Sequence, residues 1–327
     1  MKNITIIGSG ALGTAFANVL FDANPKNKIL IYGIDAKELE DIEEGRNTKY
    51  FNDIVFNKFK TSNDLNFSLK NADYIVLALP SIAIDSIIKS IEENIKKEVL
   101  IINGCKGFYP NTELPLHDGI LNKIKSNKKI RGLVSISGPS FAIEIIKKSL
   151  TSVAAIGYDK NQTIEVQKLF NNSYFKLYIQ NDVIGSEVGG IYKNILAIGS
   201  GMLNQLGYKI NTLAAYLTRG MKEMETFNKF MGGNEKTIYG LTGLGDLILT
   251  ATDINSRNFQ FGMNFIKKEI NKNTTVEGLT ALKIVEKIRI ENNLYLPICF
   301  ALYNIIYNNS NVEIEIQKLW NDKEDKE

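Results

Sequence analysis

The stretch that decides the fold is Ile4–Leu20, ITIIGSGALGTAFANVL. Ile4–Ile7 is an almost unbroken apolar run, as expected of a strand covered on both faces, and apolar residues recur at helical spacing from Ala11 onward. Between the two, Gly8, Gly10 and Gly13 stand in G-x-G-x-x-G spacing. That motif is informative where a strand leads into it and a helix leads out, as here. Gly8 permits the tight turn, Gly10 lets backbone approach a pyrophosphate, and Gly13 lets the helix pack closely on the sheet. With Ala11 and Leu12 between them opening the helix, its N–H groups and positive dipole end are offered to phosphates. The stretch predicts a dinucleotide site, against the alternative of a purely structural glycine turn.

Working outward, a second strand ends near Tyr32, and Asp35 follows 22 residues after Gly13. This is close to the usual place of the acid that accepts hydrogen bonds from the ribose hydroxyls. A carboxylate there repels a 2′-phosphate, so the lean is toward NAD over NADP, with Lys37 as a neighbour able to neutralise it. The bland alternative makes Asp35 the N-cap of the helix that follows. Further strands are predicted at Tyr74–Leu79, Val99–Asn103, Leu133–Ser137, Ser152–Ile156 and Phe175–Ile179, alternating with helices such as Ala36–Glu44 and Ile82–Ile95. That order implies a mostly parallel sheet with right-handed crossovers. After about Asp182 no convincing strand remains, and Val183–Leu206, Leu213–Phe230 and Leu279–Glu291 carry helical periodicity. The expected architecture is α/β: a Rossmann-type dinucleotide-binding domain over 1–181, then a separate all-helical substrate and catalytic domain over 182–327. The terminal NDKEDKE is expected to be a solvated, frayed tail.

Composition narrows the function. The 327 residues carry 39 basic and 36 acidic side chains, a net +3, with no block of like charge to bind nucleic acid. No run approaches the ~18 apolar residues of a membrane span. The N-terminus lacks a signal core, so a cytoplasmic protein with reduced thiols is expected. Two cysteines, Cys105 and Cys299, provide neither a disulfide framework nor a thiolate metal site, and no metal is expected. The single histidine, His117, sits in the polar LPLHDG and is expected at the surface, which leaves proton chemistry to Lys, Asp, Glu or Tyr.

Candidates for that chemistry follow the strands. In INGCKGF, Lys106 lies just past the C-terminal end of a predicted strand, the edge where open α/β sheets bind ligands. SISGPSFAIE ends another strand in Gly138-Pro139-Ser140, where Ser140 is either a helix cap or a residue facing the same crevice. In EVGGIYKNILAIGSGM, Lys193 and Asn194 interrupt an apolar, small-residue helix. A lysine there must be paired or reach a cavity, since an isolated buried ammonium is very unfavourable. Desolvation also brings a lysine into the range of general acid/base work. GLTGLGDLILTATDINSRNFQFG sets Asp246 after two glycines and follows it with Ser256, Arg257 and Asn258. Arg257 offers a planar fork suited to phosphate, flanked by uncharged donors.

Together and in order, GSGALGTAFA, CKGF, SGPSFA, EVGGIYKNILAI, TRGMKEM, GLTGLGDLILTATDINSRNFQFG and TVEG resemble the bacterial NAD(P)-dependent sn-glycerol-3-phosphate dehydrogenases, from Ile4 to about Gly278. The resemblance implies hydride transfer between NAD(P)H and dihydroxyacetone phosphate, giving sn-glycerol 3-phosphate for phospholipid synthesis. It implies Lys193 as the acid/base, with Lys106, Asp246 and Asn194 in the polar network around it. It places Gly138, Ser140, Ser256, Arg257 and Asn258, together with Lys106, Lys193 and Asp246, on the phosphate-bearing substrate. Ser9, Ala142 and Glu277 match cofactor-contacting positions, as do Lys106 and Arg257. In the reducing direction Lys193 donates the proton and Lys106 adds a second positive charge toward the developing alkoxide, while Asp246 orients Lys193.

Two positions depart from the family. Leu12 replaces an aromatic often found before the third glycine. Tyr32-Gly33-Ile34 lacks the usual arginine, which removes a 2′-phosphate partner and adds to the NAD lean. Arg219 of TRG is expected in a buried structural ion pair. The rivals are a ketopantoate or β-hydroxyacid dehydrogenase, whose substrates carry carboxylate, and a dinucleotide sensor, which needs no lysine cluster. The apolar helical domain suits a homodimer.

Overall fold

A computed structural model gives the fold and describes residues 1–269 and 275–321. The charged tail expected to fray lies, beyond Asn321, outside the described residues. The chain divides into two compact units, Met1–Glu187 and Val188–Glu327.

The first unit is built on one eight-stranded sheet: β1 (Asn3–Ile7), β2 (Lys28–Tyr32), β3 (Lys60–Ser62), β4 (Tyr74–Leu77), β5 (Val99–Asn103), β6 (Ile130–Ser137), β7 (Thr151–Ile156) and β8 (Phe175–Gln180). The order is β3-β2-β1-β4-β5-β6-β7-β8. Neighbours run parallel except β6 and β7. The chain winds from β1 toward β3 in one direction and from β4 in the other, so the order reverses beside β1, where such sheets open a ligand crevice. The expected strands are all present. Only β3 was not foreseen; its three residues, Lys-Thr-Ser, offer no apolar run to read.

Burial on both faces explains the unbroken apolar strands. Ile4 and Ile6 of β1 join Val76, Leu100 and Ile102 in one core layer. Ile7 joins Ile75, Leu77 and Ile101 in the other, the alternation a strand imposes. Each such side chain contributes about 1.5–3 kcal/mol when taken from water. Phe16, on the helix Ala11–Ala23, sets its ring edge-on to Phe170 at 5.4 Å and to Phe175 at 6.2 Å, which pins that helix to its layer.

His117 corrects the expectation of a surface residue. It lies on the helix Leu116–Ile124 and is 1% exposed. Its Nδ1 is 2.8 Å from Ser135 Oγ on β6, and burial pulls its pKa down to about 4. Pro115, at the helix N-cap, turns the apparently polar stretch into a helix start, so His117 shares the inward stripe with Ile120 and Ile124.

Among its described residues the second unit is helical, with no strand. Its centre is the helix Val183–Gln205, of which Val188–Leu203 is buried throughout. The helix Arg257–Lys267 crosses it at very close range. A Cβ on Gly262 would lie 2.0 Å from Ile198 O, and one on Gly201 would lie 2.0 Å from Phe259 O, so only glycines permit the approach. No helix among the described residues is long and apolar enough to cross a membrane.

Arg219 is also corrected: it is exposed. On the helix Ile210–Met231 the buried stripe runs through Gly220, Glu223, Met224 and Phe227, which leaves Arg219 one position outside it. The buried acid is Glu223. It accepts hydrogen bonds from Tyr192 Oη at 2.8 Å, from the Cys299 N–H at 3.1 Å and from the Ile298 N–H, tying down the start of the helix Pro297–Tyr307. Desolvation raises its pKa to about 7.

Candidate active site

In the first unit, Gly8 adopts φ +123°, and a Cβ there would come within 2.1 Å of Ala78 O. A Cβ on Gly13 would fall 1.9 Å from Gly8 O, so this glycine does bring helix and loop together. The Ala11–Ala23 helix opens at Gly10 with no side-chain cap. Above Gly10 the space is open, the first atom met being Tyr50 Oη at 3.7 Å from an added Cβ. An uncapped helix start beneath a bare glycine fits a dinucleotide pyrophosphate.

Asp35 caps the helix Ala36–Glu43, accepting from the N–H groups of Lys37 and Glu38. Its other oxygen pairs with Lys49 Nζ at 3.0 Å, and this contact, ahead of the helix N–H donors, holds its carboxyl below the usual range. Lys37 instead pairs with Asp41, at 2.8 Å, so the neutralising neighbour of Asp35 is Lys49. Glu38 is buried and receives a 2.6 Å hydrogen bond from Ser9 Oγ in the glycine loop. Lys49 at 2.6 Å and Tyr50 Oη at 3.1 Å complete its contacts. Sequence reading missed Glu38, Lys49 and Tyr50 because the chain returns to the loop only through the short helix Thr48–Phe51.

Past β5 and β6 the structure brings Lys106, Gly138 and Ser140 together. Lys106 Nζ donates to Gly138 O at 3.3 Å and Ser140 Oγ donates to the same oxygen at 3.0 Å. Ser140 therefore caps no helix; the helix Ala142–Ile146 begins after Phe141, with Ala142 as its first residue. Asn103, at the end of β5, accepts from the Cys105 N–H at 3.0 Å and donates to Cys105 O at 3.0 Å, fixing the turn before Lys106.

In the second unit a polar cluster is set into the apolar core. Lys193 is 7% exposed, and its Nζ contacts Asp246 Oδ1 and Thr250 Oγ1, each at 2.8 Å. Thr250 in turn donates to Asp246 O at 2.7 Å. Asp246 begins the helix Asp246–Thr252, where the positive dipole end favours a carboxylate. A π-helical turn, Leu241–Gly245, delivers it there, with Gly243 so close to Ile238 O that an added Cβ would sit at 2.0 Å. Such turns are frequent at functional sites. Thr250 went unread, although Asp-x-x-x-Thr on a helix places both side chains on one face.

Around this pair, Asn258 Nδ2 donates to Asn194 Oδ1 at 2.8 Å, and Asn258 Oδ1 accepts from the Gly278 N–H at 3.0 Å. Asn194 also donates to Glu277 Oε2 at 3.4 Å. Ser256 caps the helix Arg257–Lys267, and Arg257 is exposed at its first position. Thus Lys193, Asn194, Asp246, Asn258 and Glu277 form two short hydrogen-bonded chains. Arg257 stands at a helix N-terminus.

Comparison with known proteins decides the family. Residues 3–163 match the N-terminus, and residues 182–317 the C-terminus, of NAD-dependent glycerol-3-phosphate dehydrogenase. The chain belongs to this dehydrogenase family. It is 51% identical to a glycerol-3-phosphate dehydrogenase (NAD(P)+) of Mycoplasma mobile, over 98% of this chain and 96% of the relative. It is 37% identical to one from Clostridium botulinum, over 98% and 97%. Among solved structures, the glycerol-3-phosphate dehydrogenase of Coxiella burnetii superposes with a TM-score of 0.88 at 29% identity, covering 98% of this chain and 99% of that one. In this family member, the glycine loop and the lysine–aspartate pair lie in the segments matched by the N- and C-terminal halves respectively.

Proposed function

We propose that Lys193 is the general acid and base of an NAD(P)-dependent sn-glycerol-3-phosphate dehydrogenase. The reaction interconverts dihydroxyacetone phosphate and sn-glycerol 3-phosphate. When bound, the nicotinamide supplies or takes the hydride. In the reducing direction negative charge builds on the ketone oxygen, and the Lys193 ammonium donates a proton to it. Asp246 keeps that ammonium charged inside an apolar surround, and Thr250 fixes its position. Lys106 places a second positive charge toward the alkoxide, with Gly138 and Ser140 as further substrate contacts. Arg257, at a helix N-terminus capped by Ser256, anchors the phosphate, and that remote binding holds the carbonyl in place. Asn194 and Asn258 brace the arrangement. Gly8, Ser9, Gly10, Ala11, Leu12 and Gly13 hold the dinucleotide, with Ala142 and Glu277 as further contacts. NAD is the preferred cofactor. The product feeds phospholipid synthesis in the cytoplasm, and the enzyme works as a homodimer.

The buried Lys193–Asp246 pair is the observation that carries this reading. An apolar helix gains nothing from a lysine that chemistry does not use, since apolar residues of similar volume would be as stable or more so. The test follows NADH and NADPH oxidation with dihydroxyacetone phosphate, and in parallel with a 2-keto carboxylate. Rapid oxidation with the phosphate ketone is expected, faster with NADH. A carboxylate ketone turning over faster would move the chain's substrate away from phosphate.

A further inference from the structure

The cluster beside the glycine loop carries an inference about cofactor choice, which rests on the proposed preference for NAD. Ser9, Asp35, Glu38, Lys49 and Tyr50 meet where the end of β2 reaches the loop. A Cβ on Gly33, just past β2, would lie 2.4 Å from Ser9 Oγ, so the contact is tight. In this fold that place lies beside the adenosine ribose. The sequence assigns the ribose acid to Asp35, but Asp35 commits one oxygen to its helix cap and the other to Lys49. Glu38 is the buried acid of the cluster, and it holds the loop itself through Ser9.

We propose that Glu38 is a specificity-determining residue: by holding Lys49 against itself and Asp35, it keeps this site selective for NADH over NADPH. Lys49 lies 2.6 Å from Glu38 and 3.0 Å from Asp35. Two carboxylates against one ammonium leave the cluster at net −1. A ribose diol adds no charge and can share hydrogen bonds with these oxygens. A 2′-phosphate adds close to two negative charges to a cluster that is already negative, and Lys49 has two of its three N–H donors committed to the carboxylates. The lysine that would otherwise recognise phosphate is thus held by Glu38. Its side chain is 55% exposed, so it can turn outward once that hold is removed.

The two sides of the clamp make opposite demands. Glu38→Gln removes one negative charge and leaves Asp35 as the one carboxylate holding Lys49, which a phosphate then draws away more easily. Lys49→Ala leaves two carboxylates uncompensated. One unit of charge at such a half-exposed site changes affinity about tenfold. Dissociation constants for NADH and NADPH, measured by calorimetry without substrate, read the effect directly. The wild type is expected to bind NADH at least about tenfold more tightly than NADPH. Glu38→Gln is expected to shrink that ratio about tenfold by strengthening NADPH, and Lys49→Ala to widen it. Equal affinities in the wild type would overturn both the NAD preference and the clamp. A wild-type preference for NADH that neither variant moves would overturn the clamp alone. Lys49 is exposed, so its variant stays informative if Glu38→Gln folds poorly.

Discussion

Replacing Asp246 by asparagine tests what the buried pair does. Asp246 is 1% exposed and lies 2.8 Å from Lys193 Nζ. Asparagine keeps the shape and an acceptor oxygen but removes the charge, so the ammonium in the helical core loses the countercharge at position 246. Breaking a buried pair in this way costs about 3–5 kcal/mol. The same loss of orientation is expected to lower kcat for dihydroxyacetone phosphate by about 10²–10³, or roughly 3–4 kcal/mol of transition-state stabilisation. The double variant Lys193→Met/Asp246→Leu replaces both charges by apolar side chains of similar volume. It is expected to be inactive yet within about 1 kcal/mol of the wild type in stability, or above it, because two desolvation penalties vanish together. Thr250 still donates to the backbone carbonyl at 246, so its hydroxyl keeps a partner. Urea unfolding followed by circular dichroism gives the three stabilities. An Asp246→Asn variant within about 1 kcal/mol of the wild type, or a double variant less stable than the single one, would refute this account of the pair.

Two further outcomes follow from the packing. Because His117 is the chain's only histidine, its ring carbon resonances report its titration without ambiguity. They are expected to titrate near pH 4, well below a free imidazole. The folded pKa is depressed, so the stability this residue contributes is present above about pH 6.5 and is lost as pH falls toward 4. An ordinary imidazole titration would contradict its burial. Gly262→Ala is expected to destabilise the second unit by more than about 3 kcal/mol, since its Cβ would meet Ile198 O at 2.0 Å and backbone cannot yield as a side chain can. A melting temperature within about 2 °C of the wild type would contradict that close crossing.

Most of the fold was legible because it rests on long-range burial that leaves local marks. Apolar runs, most of them unbroken, gave seven of the eight strands, and the helical spacing after Asp182 gave the second unit. The reversal between β6 and β7 left no mark, since a strand buried on both faces looks the same in either direction. His117 was misread because its neighbours are polar, although His117, Ile120 and Ile124 fall at helical spacing. Lys193 was legible as a charge inside an apolar helix, and Asp246 as an acid after glycines. Their pairing leaves no local mark, because 53 residues separate them, and came only from the resemblance, which has Asp246 orient Lys193. The clamp on Lys49 was hidden for the same reason: it joins residues from the glycine loop, the first turn of one helix and the short helix that follows.

In the proposed mechanism Lys193 moves the proton and takes no part in holding the dinucleotide. Turnover of dihydroxyacetone phosphate and the NADH dissociation constant, measured on the same preparation of Lys193→Ala, test it most directly. A fall in kcat of about 10²–10⁴ with the NADH constant unchanged is the expected result. Turnover near that of the wild type would remove Lys193 from the chemistry.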